Sequence, residues 1–318
     1  MKHFLAALLL APVVALAQYP TKPIRMIIPF APGGASDFVG RIIQPKMSEI
    51  LGQQIVIENR AGAAGNIGME AAARAAPDGY TVYLGNIGTV AINPAIFPKL
   101  AVNPAKDLVA VTQIVDVPSV LVANPAFPPK TLQELVDFAR ANPGKLNYAS
   151  PGSGSLNRLE MELLRLKEKL QMVHVPYKGG AGPAVAGLMG GETHVMFTTA
   201  PSAMGQIKGG KLKVLVVTTR NRMEQLPDVP TMHDAGWLGF VTGSWQGIFA
   251  PAGTPREVVD RLFAATQQAM KDPDVVSRLK GGGVEAALSA SPAAFASFVA
   301  AETQRWGEVA RDSGATAD

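Results

Sequence analysis

The chain has 318 residues, with 32 Gly, 25 Pro, no Cys and a formal charge of +4 at pH 7. The lack of cysteine excludes a disulfide scaffold, a thiol nucleophile and Cys-ligated zinc or iron–sulfur centres. A mild charge without a Lys/Arg run excludes a nucleic-acid stripe, and the length predicts two domains.

Lys2 precedes an apolar run over residues 4–16, which ends in the small-x-small signature Ala15-Leu16-Ala17. This layout predicts a cleaved signal peptide over residues 1–17 and a periplasmic mature protein. The run is shorter than the roughly 20 apolar residues that span a bilayer. No later stretch reads as a transmembrane helix.

From there the chain repeats a short apolar run, a Gly/Ser/Pro-rich turn and a helical pattern, the rhythm of α/β units. A strand is predicted over 24–30, then a helix over 38–51 that Pro45 should kink or divide and Gly52 should end. A strand over 54–58 leads to an Ala-rich helix over 66–76, stopped by Pro77-Asp78-Gly79. A third strand covers 81–84. A long β run over 108–123, interrupted by Asp116 and Pro118, predicts a crossing between lobes. Thr131 caps a helix over 132–141, with Glu134 as capping-box partner. A strand over 146–149 precedes an amphipathic helix over 156–170, striped by Leu156, Leu159, Leu163, Leu166 and Leu170. Strands follow at 172–177, 194–197 and 213–217, and a return strand at 244–250. Helices over 256–271 and 292–313 close the chain.

The expected architecture is α/β, two-lobed, each lobe a mixed sheet flanked by helices. Lobe 1 takes residues 18–122 and 247–318. Lobe 2, residues 123–246, is inserted through two crossing strands, an arrangement that permits hinge closure.

In open α/β sheets ligands bind beyond the carboxyl ends of strands. Here those ends carry glycine-rich turns that open helices. Unpaired N–H groups and the helix dipole suit such places to a carboxylate. The candidates are Gly33-Gly34-Ala35-Ser36-Asp37, Gly62-Ala63-Ala64-Gly65, the turn 85–89 and the turn 152–155. Ser36, Asn86, Thr89, Ser153 and Ser155 add polar side chains. The competing reading makes these turns and N-caps only, with Ser36, Asp37 and Ser155 satisfying their own helices.

Enzyme signatures fare poorly. The glycines from Gly62 to Gly68 are not spaced as a dinucleotide fingerprint, and the P-loop-like stretch 205–212 has Leu212 where magnesium needs a hydroxyl. There is no G-x-S-x-G elbow. His174, His194 and His233 have no metal-ligand spacing. No metal and no cofactor is expected.

The ordered motifs Tyr19-Pro20-x-Lys22-Pro23-Ile24, Pro29-Phe30-x-Pro32-Gly33-Gly34-x-x-Asp37 and Glu58-Asn59-Arg60-x-Gly62-x-x-Gly65 are followed by Pro77-Asp78-Gly79-Tyr80-Thr81. Gly152-x-Gly154-Ser155, His174-Val175-Pro176-Tyr177-Lys178-Gly179, Leu226-Pro227-Asp228-Val229-Pro230-Thr231 and Ala250-Pro251-Ala252-Gly253-Thr254-Pro255 complete the series. Over the mature chain this resembles the Bug-type extracytoplasmic solute receptors of tripartite tricarboxylate transporters. The resemblance implies a Venus-flytrap fold of the periplasmic-binding-protein class, type II-like. It implies a small mono-, di- or tricarboxylate held through backbone amides and ordered water. The implied partner is a two-component inner-membrane permease; a monomer is the default expectation for a receptor that docks one permease. The implied ligand loops are residues 32–37, 62–65, 86–89 and 150–155, including Ser150, Ser153, Gly154 and Ser155, together with Thr198 and Thr199. The family commonly has His at the place of Arg158 and Asp at that of His194. Arg158 is then either a bidentate donor to a second carboxylate or a solvated side chain outside the crevice. Two other readings stay open: a ligand receptor for a sensor protein, and an exported hydrolase with a non-standard triad.

Overall fold

The structure, a computed structural model, describes residues 19–317. The expected signal peptide lies outside them. In chain order the elements are β1 (Ile24–Ile28), α1 (Ala35–Leu51), β2 (Ile55–Asn59), α2 (Asn66–Ala73), β3 (Thr81–Asn86) and the short helices α3 (Asn93–Ile96) and α4 (Pro104–Asp107). The long β4 (Leu108–Ala123) leads to α5 (Leu132–Ala141), β5 (Leu146–Ser150), α6 (Leu156–Lys167), β6 (Met172–Pro176), α7 (Ala181–Gly190), β7 (Val195–Thr199), α8 (Ala200–Lys208) and β8 (Lys213–Val217). The chain ends with β9 (Gly243–Pro251), α9 (Arg256–Ala269), α10 (Pro273–Gly281), β10 (Glu285–Ala286) and α11 (Pro292–Asp312).

Two sheets share β4. The first runs β2-β1-β3-β9-β4, with β10 antiparallel to β4. The second runs β6-β5-β7-β4-β8. Residues 108–118 of β4 pair with β9, and residues 119–123 pair with β7. The chain therefore changes sheet between Pro118 and Ser119, ahead of the boundary expected at 122. β9 is already in the first sheet at Gly243. Pro118 does not interrupt β4; it is the last residue in register with β9, where a missing N–H is tolerated.

Helices cover both faces of each sheet, so strand alternation divides the apolar residues among four cores. Met26 and Ile28 of β1 pack with α1, α9 and α10, whereas Ile27 packs on the other face with α2 and α11. In the second sheet Leu121 and Phe197 face α5 and α6, and Val120 and Met196 face α7 and α8.

Two further expectations need correction. Pro45 does not divide α1, which runs unbroken over 17 residues. Arg41, whose carbonyl the proline leaves without a helical donor, is exposed, and so is Pro45, so water can take the bond. The leucine stripe of α6 also serves differently. Leu156 and Leu159 enter the first-sheet core and Leu164, not Leu163, enters the second-sheet core. Leu166 is 42% exposed. One helix thus pins both sheets together, which a single-stripe reading misses.

Candidate functional site

A small cavity of about 50 Å³ lies between the sheets. One wall comes from the first-sheet side: Phe30, Gly34, Ala35, Ser36, Ala64, Asn86, Ile87, Gly88 and, from β9, Ser244 and Gln246. The facing wall is Pro151, Gly154, Ser155, Leu156, Asn157, Ala181 and Thr199. The two sides touch around it. The Ala31 N–H donates to the Gly179 carbonyl at 3.1 Å. The close approach needs glycine: a Cβ on Gly154 would stand 1.7 Å from Asn93 Oδ1.

Four helices begin at this cavity: α1 at Ala35, α6 at Leu156, α7 at Ala181 and α8 just after Thr199. α1, α7 and α8 have no side-chain cap bond at their N-termini. Their first N–H groups therefore remain for a ligand. In α6 the Ser155 hydroxyl accepts the Arg158 N–H at 3.2 Å, so its own O–H is left to donate. None of the described residues that line the cavity is charged. The positive potential comes from backbone dipoles, each worth about 0.3–1 kcal/mol toward an anion. Such a lining has the donors to accept a carboxylate, and none of its described side chains is ionisable.

Of the residues expected from sequence, the structure brings Gly34, Ala35, Ser36, Ala64, Asn86, Gly154, Ser155 and Thr199 to the cavity wall. Gly33, Asp37, Gly62, Ala63, Gly65, Thr89, Ser150, Ser153 and Thr198 are not part of that wall. Their positions have reasons. Asp37 accepts the Gly33 N–H at 3.2 Å, Arg41 Nε at 2.9 Å and Asn59 Nδ2 at 3.1 Å. Burial would raise its pKa, but the bonds from Arg41, Asn59 and Gly33 together outweigh that and lower it. Asp37 stays ionised and shapes the turn. The Thr89 N–H donates to Asn86 Oδ1 at 3.0 Å, which sets the Asn86 rotamer. Thr198 alternates away from Thr199 and joins the face that carries Met196.

Arg158 meets neither description offered for it. It is 7% exposed, and its Nη1 donates to the Ser153 carbonyl at 3.2 Å and the Thr316 carbonyl at 2.6 Å. It ties α6 to the C-terminal segment, behind the cavity. His194 is structural: its Nδ1 accepts the Asn147 N–H at 2.9 Å and its ring lies 5.2 Å from that of Phe127.

A Ser–His pair does exist. Ser150 Oγ and His174 Nε2 are 2.7 Å apart. Ser150 is fully buried, also bonds Gly152, and is not part of the cavity wall, so a substrate carbonyl has no approach to it. The P-loop-like stretch falls at the C-terminal end of α8, where the dipole repels phosphate. Among the described residues no group of three or more His, Cys, Asp or Glu could hold a metal ion. Among them, no helix is long and apolar enough to cross a membrane.

Sequence reasoning missed Phe30, Leu156, Asn157, Ala181, Ser244 and Gln246. The last two had a signal. In Gly243-Ser244-Trp245-Gln246-Gly247-Ile248 two polar side chains sit at period 2 inside a return strand, and so share a face. Ala181 opens a helix whose small residues show no apolar stripe.

A cleft that two lobes close from both sides, lined by the starts of helices and joined behind by a shared strand, defines a solute receptor of the periplasmic-binding-protein class. Residues 39–315 match the family described as tripartite tricarboxylate transporter family receptor. The chain belongs to that family. It is 35% identical to protein BugT of Bordetella pertussis, over 98% of this chain and 95% of that one. Among solved structures it is similar to MatC of Rhodopseudomonas palustris with bound malate, with TM-score 0.86, 37% identity, and coverage of 92% of this chain and 99% of the other. It is also similar to R. palustris Rpa4515 with adipate, with TM-score 0.90, 32% identity, and coverage of 94% and 100%.

Proposed function

We propose that this chain is an exported, periplasmic receptor that captures a small carboxylate between its lobes and delivers it to a two-component inner-membrane permease. The observation that carries this reading is the uncharged cavity into which four helix N-termini open. A carboxylate there gains several N–H bonds and favourable dipoles without a buried counter-ion. The malate and adipate held by two relatives support the same ligand class. The protein acts as a monomer and as a carrier, without chemistry on its cargo. Closure is stabilised because both walls contribute donors, so only the closed form makes every contact.

Thermal unfolding of refolded, ligand-stripped protein against a panel of mono-, di- and tricarboxylates tests this. Ligand at a hundredfold excess over Kd stabilises the native state by about 2.7 kcal/mol. A subset of acids should raise the midpoint while their amides do not. A panel without any responding acid removes the carboxylate assignment.

A further inference from the structure

The cavity wall holds one group that a carboxylate cannot satisfy. Gln246 of β9 is 1% exposed, lines the cavity, and its Oε1 has no hydrogen-bond partner among the described residues. Strand alternation turns the Gln246 side chain to the cavity face of β9. Ser244 and Gln246 face the cavity, whereas Gly243 and Trp245 face a separate groove on the opposite side of β9. Across the ladder Gln246 is in register with Asn86, whose Oδ1 is already used by the Thr89 N–H. A buried acceptor left unpaired costs free energy, and native interiors rarely leave one so.

The remaining wall is rich in donors: the first N–H groups of α1, α7 and α8, and the Ser155 hydroxyl. An ionised carboxylate fits those donors but has no proton for Gln246. A hydroxyl has one. An ammonium group has protons too, but it would enter a cavity that lacks an acidic side chain and is faced by positive helix ends.

We propose that Gln246 reads a hydroxyl on the bound acid, which makes the ligand class hydroxycarboxylates. This rests on the carboxylate reading above. The acid end sits on the helix starts, and its hydroxyl donates to Gln246 Oε1.

Isothermal titration of ligand-stripped protein with matched acids tests it: succinate against malate, and glutarate against 2-hydroxyglutarate and 2-oxoglutarate. The oxo acid accepts but does not donate at that carbon. In the unaltered protein the hydroxy member of each binding pair should bind at least about tenfold more tightly than its partners, because a site built for a hydroxyl discriminates against its loss. In Gln246→Leu that gap, read as the ratio of affinities within each pair, should fall to less than about twofold. Gln246→Met, of similar length, serves the same purpose if the leucine variant melts early. Three results overturn the assignment while the carboxylate reading stands: acids bind with no preference for the hydroxy member, the oxo acid is preferred, or the gap survives both substitutions. If none of the acids binds, this inference falls together with the reading it rests on.

Discussion

Glu160 shows how much one residue can carry in this protein. Its carboxylate is fully buried where α6 meets both crossing segments of the chain. Asn157 Nδ2 donates to its Oε2 at 2.8 Å and the Thr242 hydroxyl to its Oε1. The same Asn157 Nδ2 reaches Ser119 Oγ at 3.0 Å on β4, and Asn157 also lines the cavity. Burial pushes the Glu160 pKa up, against the opposing pull of bonds from Thr242, Asn157 and Ser119. For a carboxyl whose folded pKa is raised, the stability contribution is full below the unfolded value of about 4.3. It declines as pH rises from there toward the folded pKa, since the folded state holds the proton longer. Glu160→Gln keeps the shape and removes the charge. We expect thermal melts between about pH 4 and pH 8 to show this variant gaining stability over the parent as pH rises. A constant difference across that range would show that Glu160 ionises in the fold without penalty. Asp37, lowered instead, acts below the ordinary carboxylate range in both proteins and cancels in the comparison.

At the scale of elements, the turn before α2 concentrates backbone strain. Gly62, Ala63, Ala64 and Gly65 have φ of 126°, 47°, 52° and 89°. Left-handed backbone costs a non-glycine residue about 1–2 kcal/mol. That strain sits at the cavity wall, where Ala64 contributes a surface and its carbonyl accepts Asn93 Nδ2 at 3.0 Å. Ala63 is exposed and is not among the residues that line the cavity. Ala63→Gly should therefore stabilise the protein by about 1 kcal/mol in urea unfolding, with ligand affinity unchanged. A loss of stability would mean that the alanine methyl contributes packing worth more than the strain. Other elements follow local rules closely. Thr131 caps α5 by accepting the Glu134 N–H at 3.1 Å, and Gly52 ends α1 in the left-handed region at φ 69°. Glu134 closes its half of the box on the Lys130 N–H, one residue earlier than the usual pattern. α7, α8 and α10 were not legible. α7 reads AGPAVAGLMG, small residues without a polar face, and only its position over the second sheet makes it a helix with a buried side.

For the whole molecule the deciding event is how the two walls meet. Gly154 faces Asn93 and Phe97 of the opposite wall, and a Cβ there would lie 1.7 Å from Asn93 Oδ1 and 3.0 Å from the Phe97 ring. Asn93 is fully buried and its Nδ2 is held by Ala64 and Asn66, so it cannot swing clear cheaply. Gly154→Ala should leave each lobe folded and resist their approach, so ligand affinity falls at least about tenfold, or 1.4 kcal/mol. Calorimetric titration beside an unchanged melting curve of the ligand-free protein would check this. An unchanged affinity would mean that ligand is held without this contact. Local patterns determined most of the secondary structure and the turns that face the ligand, because glycines, caps and apolar periods act within a few residues. The α/β class with two lobes was readable for the same reason. The tertiary structure alone decided which of those turns reach the cavity, that Arg158 ties down the C-terminal segment, and that Gln246 enters the site from a strand nearly a hundred residues beyond Ser155. Those placements depend on β4 and β9 lying side by side with α6 bridging both cores, a long-range arrangement that a short window of sequence does not encode.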